Sequence, residues 1–241
     1  MNSKIARRTL PPDEVQIYAT NLDAVASPPS ELAALLSDME QLRAARFHSA
    51  HDRERYIVRR TILRLLLGAY LNVPPEGIEM PLGPHGKPAI APAPGSPQLG
   101  FNLSHSDGTA VYAFAWNRRV GIDVEGVRRD IDYRGLAERF FAPGERAALG
   151  RVADDDLPER FFACWTRKEA VVKAHGAGLS LPLDTFEVSI QPVAEPPIVW
   201  ASPDPAERWR LLSLTPQAGF IGALAVEGAP WTARIDMDFT F

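Results

Sequence analysis

The sequence predicts an α+β protein made of two similar halves related by a pseudo-two-fold axis, with its functional site in the cleft between them. Three observations carry this expectation. Two stretches have apolar residues at helical spacing, 31–70 and 161–175. Short runs rich in β-branched and aromatic residues, 108–116 and 119–125, read as strands. The segment after each helix also repeats itself. Leu71-Asn72-Val73-Pro74-Pro75-Glu76-Gly77-Ile78-Glu79 matches Leu179-Ser180-Leu181-Pro182-Leu183-Asp184-Thr185-Phe186-Glu187 at an offset of 108 (179 − 71 and 187 − 79). Duplication of a helix–loop–strand unit accounts for that constant offset.

Taken in order, the first helical stretch runs from Glu31 to about Tyr70, with Ser30 as its cap and Pro74-Pro75 as its stop. Tyr56, Leu63, Leu67 and Tyr70 should face the core. Pro and Gly mark two long loops, 83–100 and about 192–205. Thr109–Ala115 and Ala218–Ala225 are similar in composition and extend the repeat. The Asn117-Arg118 link between two strand-like runs reads as a tight hairpin. Phe161–His175 is a second helix, ended by Gly176 and Gly178. The halves are expected at 1–118 and 119–241.

Composition excludes several classes. The 241 residues suffice for one large domain or two small ones, and 46% hydrophobic with 23% charged residues is the balance of a globular protein. A net charge of −4 gives no global attraction to nucleic acid or an anionic membrane. Cys164 is the only cysteine, so no internal disulfide framework or cysteine-rich metal site is expected. The polar start, with Lys4, Arg7 and Arg8, has the character of neither a secretory signal nor an anchor. The expectation is a cytoplasmic monomer.

Two segments carry candidate chemistry. In Gly121-Ile122-Asp123-Val124-Glu125, strand alternation puts Asp123 and Glu125 on one face. Adjacent carboxylates repel unless a cation lies between them, and with no His or Cys nearby a hard ion such as Mg²⁺ suits them. An ordinary solvated acidic strand face has the same pattern. In Cys164-Trp165-Thr166-Arg167-Lys168-Glu169-Ala170-Val171-Val172-Lys173, the residues Trp165, Glu169 and Lys173 share a helix face. A routine Glu–Lys surface pair, worth about 0.3–0.5 kcal/mol, has the same spacing. His48 and His51 lack a third ligand at metal spacing, and Asp154-Asp155-Asp156 reads as a solvated turn.

The combination resembles the 4′-phosphopantetheinyl transferases, in particular the larger monomeric kind typified by the surfactin-synthetase activator. Six segments, in chain order, carry the resemblance over about residues 40–190: Gly86-Lys87-Pro88, Phe101-Asn102-Leu103-Ser104-His105-Ser106, GIDVE, Phe140-Phe141 with Glu145, WTRKEAVVK, and Gly178–Pro182, GIDVE and WTRKEAVVK forming one paired signature. The resemblance implies an enzyme that moves the phosphopantetheine arm of coenzyme A onto a serine of an acyl or peptidyl carrier protein. It implies Mg²⁺ held by Asp123, Glu125 and Glu169, Glu169 as the candidate base with Asp123 as the competing choice, and Lys173 on the diphosphate. It also implies Ser104, His105, Lys87, Arg55 and Arg43 around the nucleotide and its 3′-phosphate. The family often has a basic residue three positions before Arg43, where this chain has Glu40. The alternatives are a module that binds coenzyme A or the carrier without efficient catalysis, and a Mg²⁺-dependent phosphohydrolase. A degenerate copy is expected to lose one of Asp123, Glu125, Glu169 and Lys173, and all four are present.

Overall fold

The computed structural model describes residues 7–83, 85–91, 95–195, 198–200, 209–228 and 230–240. Parts of both expected long loops, 84 and 92–94 in the first and 196–197 and 201–208 in the second, lie outside the described residues.

The chain is mixed α+β. Strand β1 (Glu14–Asn21) precedes helices α1 (Pro29–Ala33), α2 (Asp38–Ala45) and α3 (Ala50–Leu71). Strands β2 (Leu99–Ser106), β3 (Thr109–Trp116) and β4 (Val120–Gly126) follow, then α4 (Tyr133–Phe140), α5 (Pro143–Leu149) and α6 (Leu157–His175). The chain continues through β5 (Phe186–Val188), β6 (Ile198–Trp200), β7 (Trp209–Leu214), β8 (Phe220–Glu227) and β9 (Thr232–Asp236).

The single helical stretch expected over 31–70 is three helices. Ser37 accepts the Glu40 amide and Ser49 the Asp52 amide, so each serine caps a new start. Ser30 lies inside the first turn of α1, after Pro28, and caps nothing. Asn72, at φ 57°, ends α3 in the left-handed conformation before Pro74. Tyr56, Leu63, Leu67 and Tyr70 are buried as expected.

Two sheets, ordered β2-β3-β1-β9 and β4-β8-β7, stack face to face. Strand alternation supplies the layer between them: Val15, Ile17, Val111 and Ala113 from the first, Ile122, Val124, Leu224 and Val226 from the second. The outer face of the first sheet, with Tyr112 and Phe114, packs against α3. Ala223 and Ala225 on the outer face of the second pack with α6 residues such as Val171 and Ala174. The expected hairpin at Asn117-Arg118 is not formed. Both edges of β3 are already taken, by β1 and β2, so no edge remains for β4, which pairs with β8. The turn at Asn117, φ 53°, carries the chain from one sheet to the other instead.

The repeat in sequence has a counterpart in the fold. The orders β2-β3-β1 and β7-β8-β4 have the same connectivity. Short 3-10 turns follow α3 and α6 at Pro75–Gly77 and Leu183–Thr185, again 108 residues apart. A buried cation ties each turn down. Arg64 donates to the carbonyls of Pro75 (2.7 Å) and Ile78 (3.1 Å) and to Glu40. Lys168 donates to those of Leu183 and Phe186 (both 2.6 Å) and pairs with Glu145 at 2.8 Å. Each acid also closes the start of its helix, Glu40 accepting from the Ser37 amide and Glu145 from that of Ala142. The last strand breaks the parallel: β9 runs beside β1 in the first sheet, and Phe239 packs on Tyr18. Among the described residues no helix is long and apolar enough to cross a membrane.

Removing one member of a buried ion pair leaves an uncompensated charge. Glu145→Ala is expected to lower the unfolding free energy by about 3–5 kcal/mol in urea titrations. Asp154→Asn, which breaks an exposed pair with Arg134, should cost about 0–1 kcal/mol.

Candidate active site

The site is built where the edge strands of the two sheets lie side by side. β2 and β4 are not joined by a backbone ladder. Alternate side chains of β2 bridge them instead. Asn102 Oδ1 accepts from the Ile122 amide (2.8 Å), Ser104 Oγ donates to Asp123 Oδ1 (2.8 Å), and Ser106 Oγ donates to Glu125 Oε2 (3.0 Å). Ser106 Oγ also accepts from the Gly126 amide. The polar period of Asn102-x-Ser104-x-Ser106 is thus the strand period, aimed at the seam.

On β4, Ile122 and Val124 enter the layer between the sheets, so Asp123 and Glu125 point to the other side. There α6 crosses them. Gly121 permits this approach, since a Cβ on it would collide with the Ala170 carbonyl and the Ala174 backbone. Close packing brings the Glu169–Lys173 face of α6 over the strand. Lys173 Nζ donates to Asp123 Oδ1 at 2.6 Å and to Ser104 Oγ at 3.0 Å. The other oxygen, Asp123 Oδ2, is buried with no hydrogen-bond partner.

Electrostatics follow from this crowding. Burial and then the neighbouring Asp123 carboxylate push the Glu125 and Glu169 carboxyls up from the ordinary range. Among the described residues no three acidic, His or Cys side chains form a ready-made metal cage. In this arrangement Lys173 supplies the nearest positive charge. The donor set nonetheless fits a hard divalent ion: it is all carboxylate, the Asp123 carboxylate raises both glutamates, and one buried oxygen lacks a partner.

A cleft of about 1460 Å³ opens from these carboxylates between the halves. Arg43, Arg46, Arg59, Tyr56, His105 and Trp165 line it, together with Asp123, Glu125, Glu169 and Lys173. Arg59 and Arg43 lie over the Tyr56 ring, at 5.4 and 5.8 Å from its centre. Arg43, Arg46 and Arg59 have no carboxylate partner among the described residues. Burial, and the nearby charges of Arg60 and Arg43, lower Arg59 to about 10. His105 has an exposed surface at the cleft mouth, but its packed side and the charges of Arg59 and Lys173 hold its imidazole down to about 4. It is neutral near pH 7. This wall is a trap for anions.

Three expected ligand contacts are hydrogen-bonded to protein groups. Arg55 lies outside the cleft, where Asp23 holds its guanidinium by two bonds, at 2.8 and 2.5 Å. The arginine one turn further along, Arg59, faces the cleft instead. Ser104 lines the cleft, with its hydroxyl bonded to Asp123. Lys87 Nζ donates to the backbone carbonyls of Val120 and Lys173. Glu40, which stands where the resemblance calls for a base, is buried and paired with Arg60 and Arg64. Sequence reasoning missed Arg46, Arg59 and the roles of Asn102 and Ser106. The alternation in Asn102-x-Ser104-x-Ser106 was a legible signal for the latter two. The arginines were not separable, because their distant partners Asp23 and Glu40 decide which are free.

The fold and site define a class: an α+β enzyme whose carboxylate cluster opens into a cationic cleft. Comparison with known proteins narrows it. Residues 119–226 match the model of the 4′-phosphopantetheinyl transferase superfamily, and residues 27–116 that of the 4′-phosphopantetheinyl transferase N-terminal region. The chain is 38% identical over 226 residues to the 4′-phosphopantetheinyl transferase HetI of Nostoc sp., covering 94% of this chain and 93% of that protein. It is 31% identical over 180 residues to a 4′-phosphopantetheinyl transferase of Bacillus subtilis (73% and 77% covered), and 30% over 157 residues to Sfp of Bacillus subtilis strain 168 (65% and 67%). The chain belongs to the 4′-phosphopantetheinyl transferase superfamily and is an enzyme of the Sfp type.

Gly121→Ala should force α6 off β4. The expected cost is about 1–3 kcal/mol in urea unfolding, with loss of most transfer activity in protein that remains folded. Wild-type stability and activity would show that the close approach at Gly121 is dispensable.

Proposed function

We propose that this chain transfers the 4′-phosphopantetheine group of coenzyme A to a serine hydroxyl of an apo acyl or peptidyl carrier protein, releasing 3′,5′-ADP, with Mg²⁺ as its metal. The observation that carries this reading is the convergence of Asp123 and Glu125 on β4 with Glu169 and Lys173 on α6, beside three arginines with no carboxylate partner among the described residues. Asp123, Glu125 and Glu169 would hold the ion. When bound, it neutralises the diphosphate and the charge that develops on the leaving group.

The chain's own residues do the rest. Arg43, Arg46 and Arg59, with neutral His105, receive the nucleotide and its phosphates along the cleft wall. Lys173 is free to exchange its bond to Asp123 for one to a diphosphate oxygen, putting an ammonium beside the departing 3′,5′-ADP. Glu169, on the α6 face over Asp123, takes the proton of the serine hydroxyl. The serine oxygen then bonds the phosphorus that carries the pantetheine arm, and the phosphoric anhydride bond to 3′,5′-ADP breaks.

We further infer that residues 1–118 and 119–241 form two halves related by a pseudo-two-fold axis. The shared strand connectivity and the paired Glu40–Arg64 and Glu145–Lys168 devices support this. A complete carboxylate set within one chain supports a monomer, and we propose a cytoplasmic enzyme with neither nucleic acid nor membrane as a partner.

Glu169→Gln is expected to lower kcat for transfer to an apo carrier by about 10²–10⁴-fold. Near-normal turnover would remove Glu169 as the base. Arg59→Ala should raise KM for coenzyme A by about tenfold or more, and for dephospho-coenzyme A by much less. Arg55→Ala should alter both substrates little. The reverse ranking would return the 3′-phosphate to Arg55.

A further inference from the structure

Lys87 stands on the loop between α3 and β2. An isolated bridge between Leu82 and Pro88, and bonds from the Gly83 amide to the Lys87 carbonyl and from the Gly86 amide to the Gly83 carbonyl (both 2.9 Å), close this loop into a tight turn. Gly86 makes the reversal at φ 78°. The turn aims the Lys87 side chain across the seam. Its ammonium donates to the Val120 carbonyl at 2.8 Å and to the Lys173 carbonyl at 2.7 Å.

Those acceptors belong to the two elements that carry the reactive groups. Val120 begins β4, three residues before Asp123. Lys173 lies in the last turn of α6, one turn after Glu169. A helix leaves its final carbonyls unsatisfied, and a cation there also meets the negative end of the helix dipole. The β4–α6 contact itself is tight but apolar at Gly121, Ala170 and Ala174. The Lys87 ammonium adds a directional tie to that contact, from a segment outside both elements.

We propose that Lys87 is a positioning residue: it pins the end of α6 to the start of β4, and so fixes Glu169 and Lys173 against Asp123 and Glu125. In this reading its ammonium serves the β4–α6 contact and not the nucleotide. Two of its three N–H bonds are spent on backbone carbonyls, and it does not line the arginine-walled cleft, although its neighbours Gly86 and Pro88 do. It lines the smaller cavity of about 880 Å³ behind the seam, with Phe140, Val172 and Leu181. Burial and the nearby charges of Arg119 and Lys173 lower its amine to about 8, in keeping with a group enclosed by protein.

The test is Lys87→Met, which keeps length and loses the donors, beside Lys87→Arg, which keeps them. One arm needs no activity: hydrogen exchange of the ligand-free protein. Amides of the last turn of α6 and the first residues of β4 should exchange about tenfold faster or more in Lys87→Met, and close to wild type in Lys87→Arg. The kinetic arm rests on the transferase reading. There kcat should fall about 10–100-fold in Lys87→Met, with recovery in Lys87→Arg, while the dissociation constant for coenzyme A by calorimetry stays within about twofold. Should Lys87→Met unfold, Lys87→Gln, which keeps one donor group, is read in its place. Unchanged exchange at both elements would overturn the clamp even if the chain transferred nothing. Loss of coenzyme A affinity at constant kcat would make Lys87 a ligand contact and overturn it equally. Failure of transfer by the wild type, with exchange changed as expected, would count against the substrate reading and leave the clamp standing.

Discussion

Everything at the seam depends on crowding negative charge where the protein supplies little water to screen it. Asp123, Glu125 and Glu169 converge on one wall, and among the described residues the only ammonium bonded to any of them is that of Lys173. In a partly desolvated site such charges cannot coexist unless cations are brought to them. The fold provides for this. Gly121 lets α6 lie directly on β4, the β2 side chains hold the second edge, and the arginine wall lies opposite. The site is poised because its charge is only half balanced: Lys173 serves one oxygen of Asp123, and the other is left buried and unpartnered.

The scaffold is kept rigid by two buried ion pairs. Glu40 with Arg64 and Glu145 with Lys168 each lock a helix start, a long helix and the turn after it into one unit. Buried ion pairs rarely improve stability over apolar packing, but breaking one is costly. Their value here is register: each cation takes two backbone carbonyls that no other geometry would satisfy. With both turns held, β2 and β4 meet at a fixed offset, and alternate residues of one reach alternate residues of the other. That offset places Ser104 on Asp123 and Ser106 on Glu125.

Local patterns made much of this legible. The helical period buried Tyr56, Leu63, Leu67 and Tyr70, strand alternation put Asp123 and Glu125 on one side, and the offset of 108 reappears in the two 3-10 turns. What stayed hidden depends on partners far away in sequence. Nothing near Asn117-Arg118 reveals that β3 has no free edge. Nothing near Arg55 reveals that Asp23 holds it, or that Arg59 has no carboxylate partner among the described residues. The serine caps at Ser37 and Ser49 were visible but were outweighed by a continuous apolar period. Ser104 and Lys87 sit in motifs whose residue types suit a ligand, yet their hydrogen bonds run to the protein.

The central claim is that this seam is where the phosphopantetheine arm is transferred. The most direct measurement is the intact mass of an apo carrier protein after incubation with this chain, coenzyme A and Mg²⁺, run with and without EDTA. The account predicts a gain of one phosphopantetheine on the carrier, abolished by EDTA. No gain on acyl and peptidyl carriers, while calorimetry shows that coenzyme A still binds, would contradict it. The seam would then be a binding surface and not a reacting one.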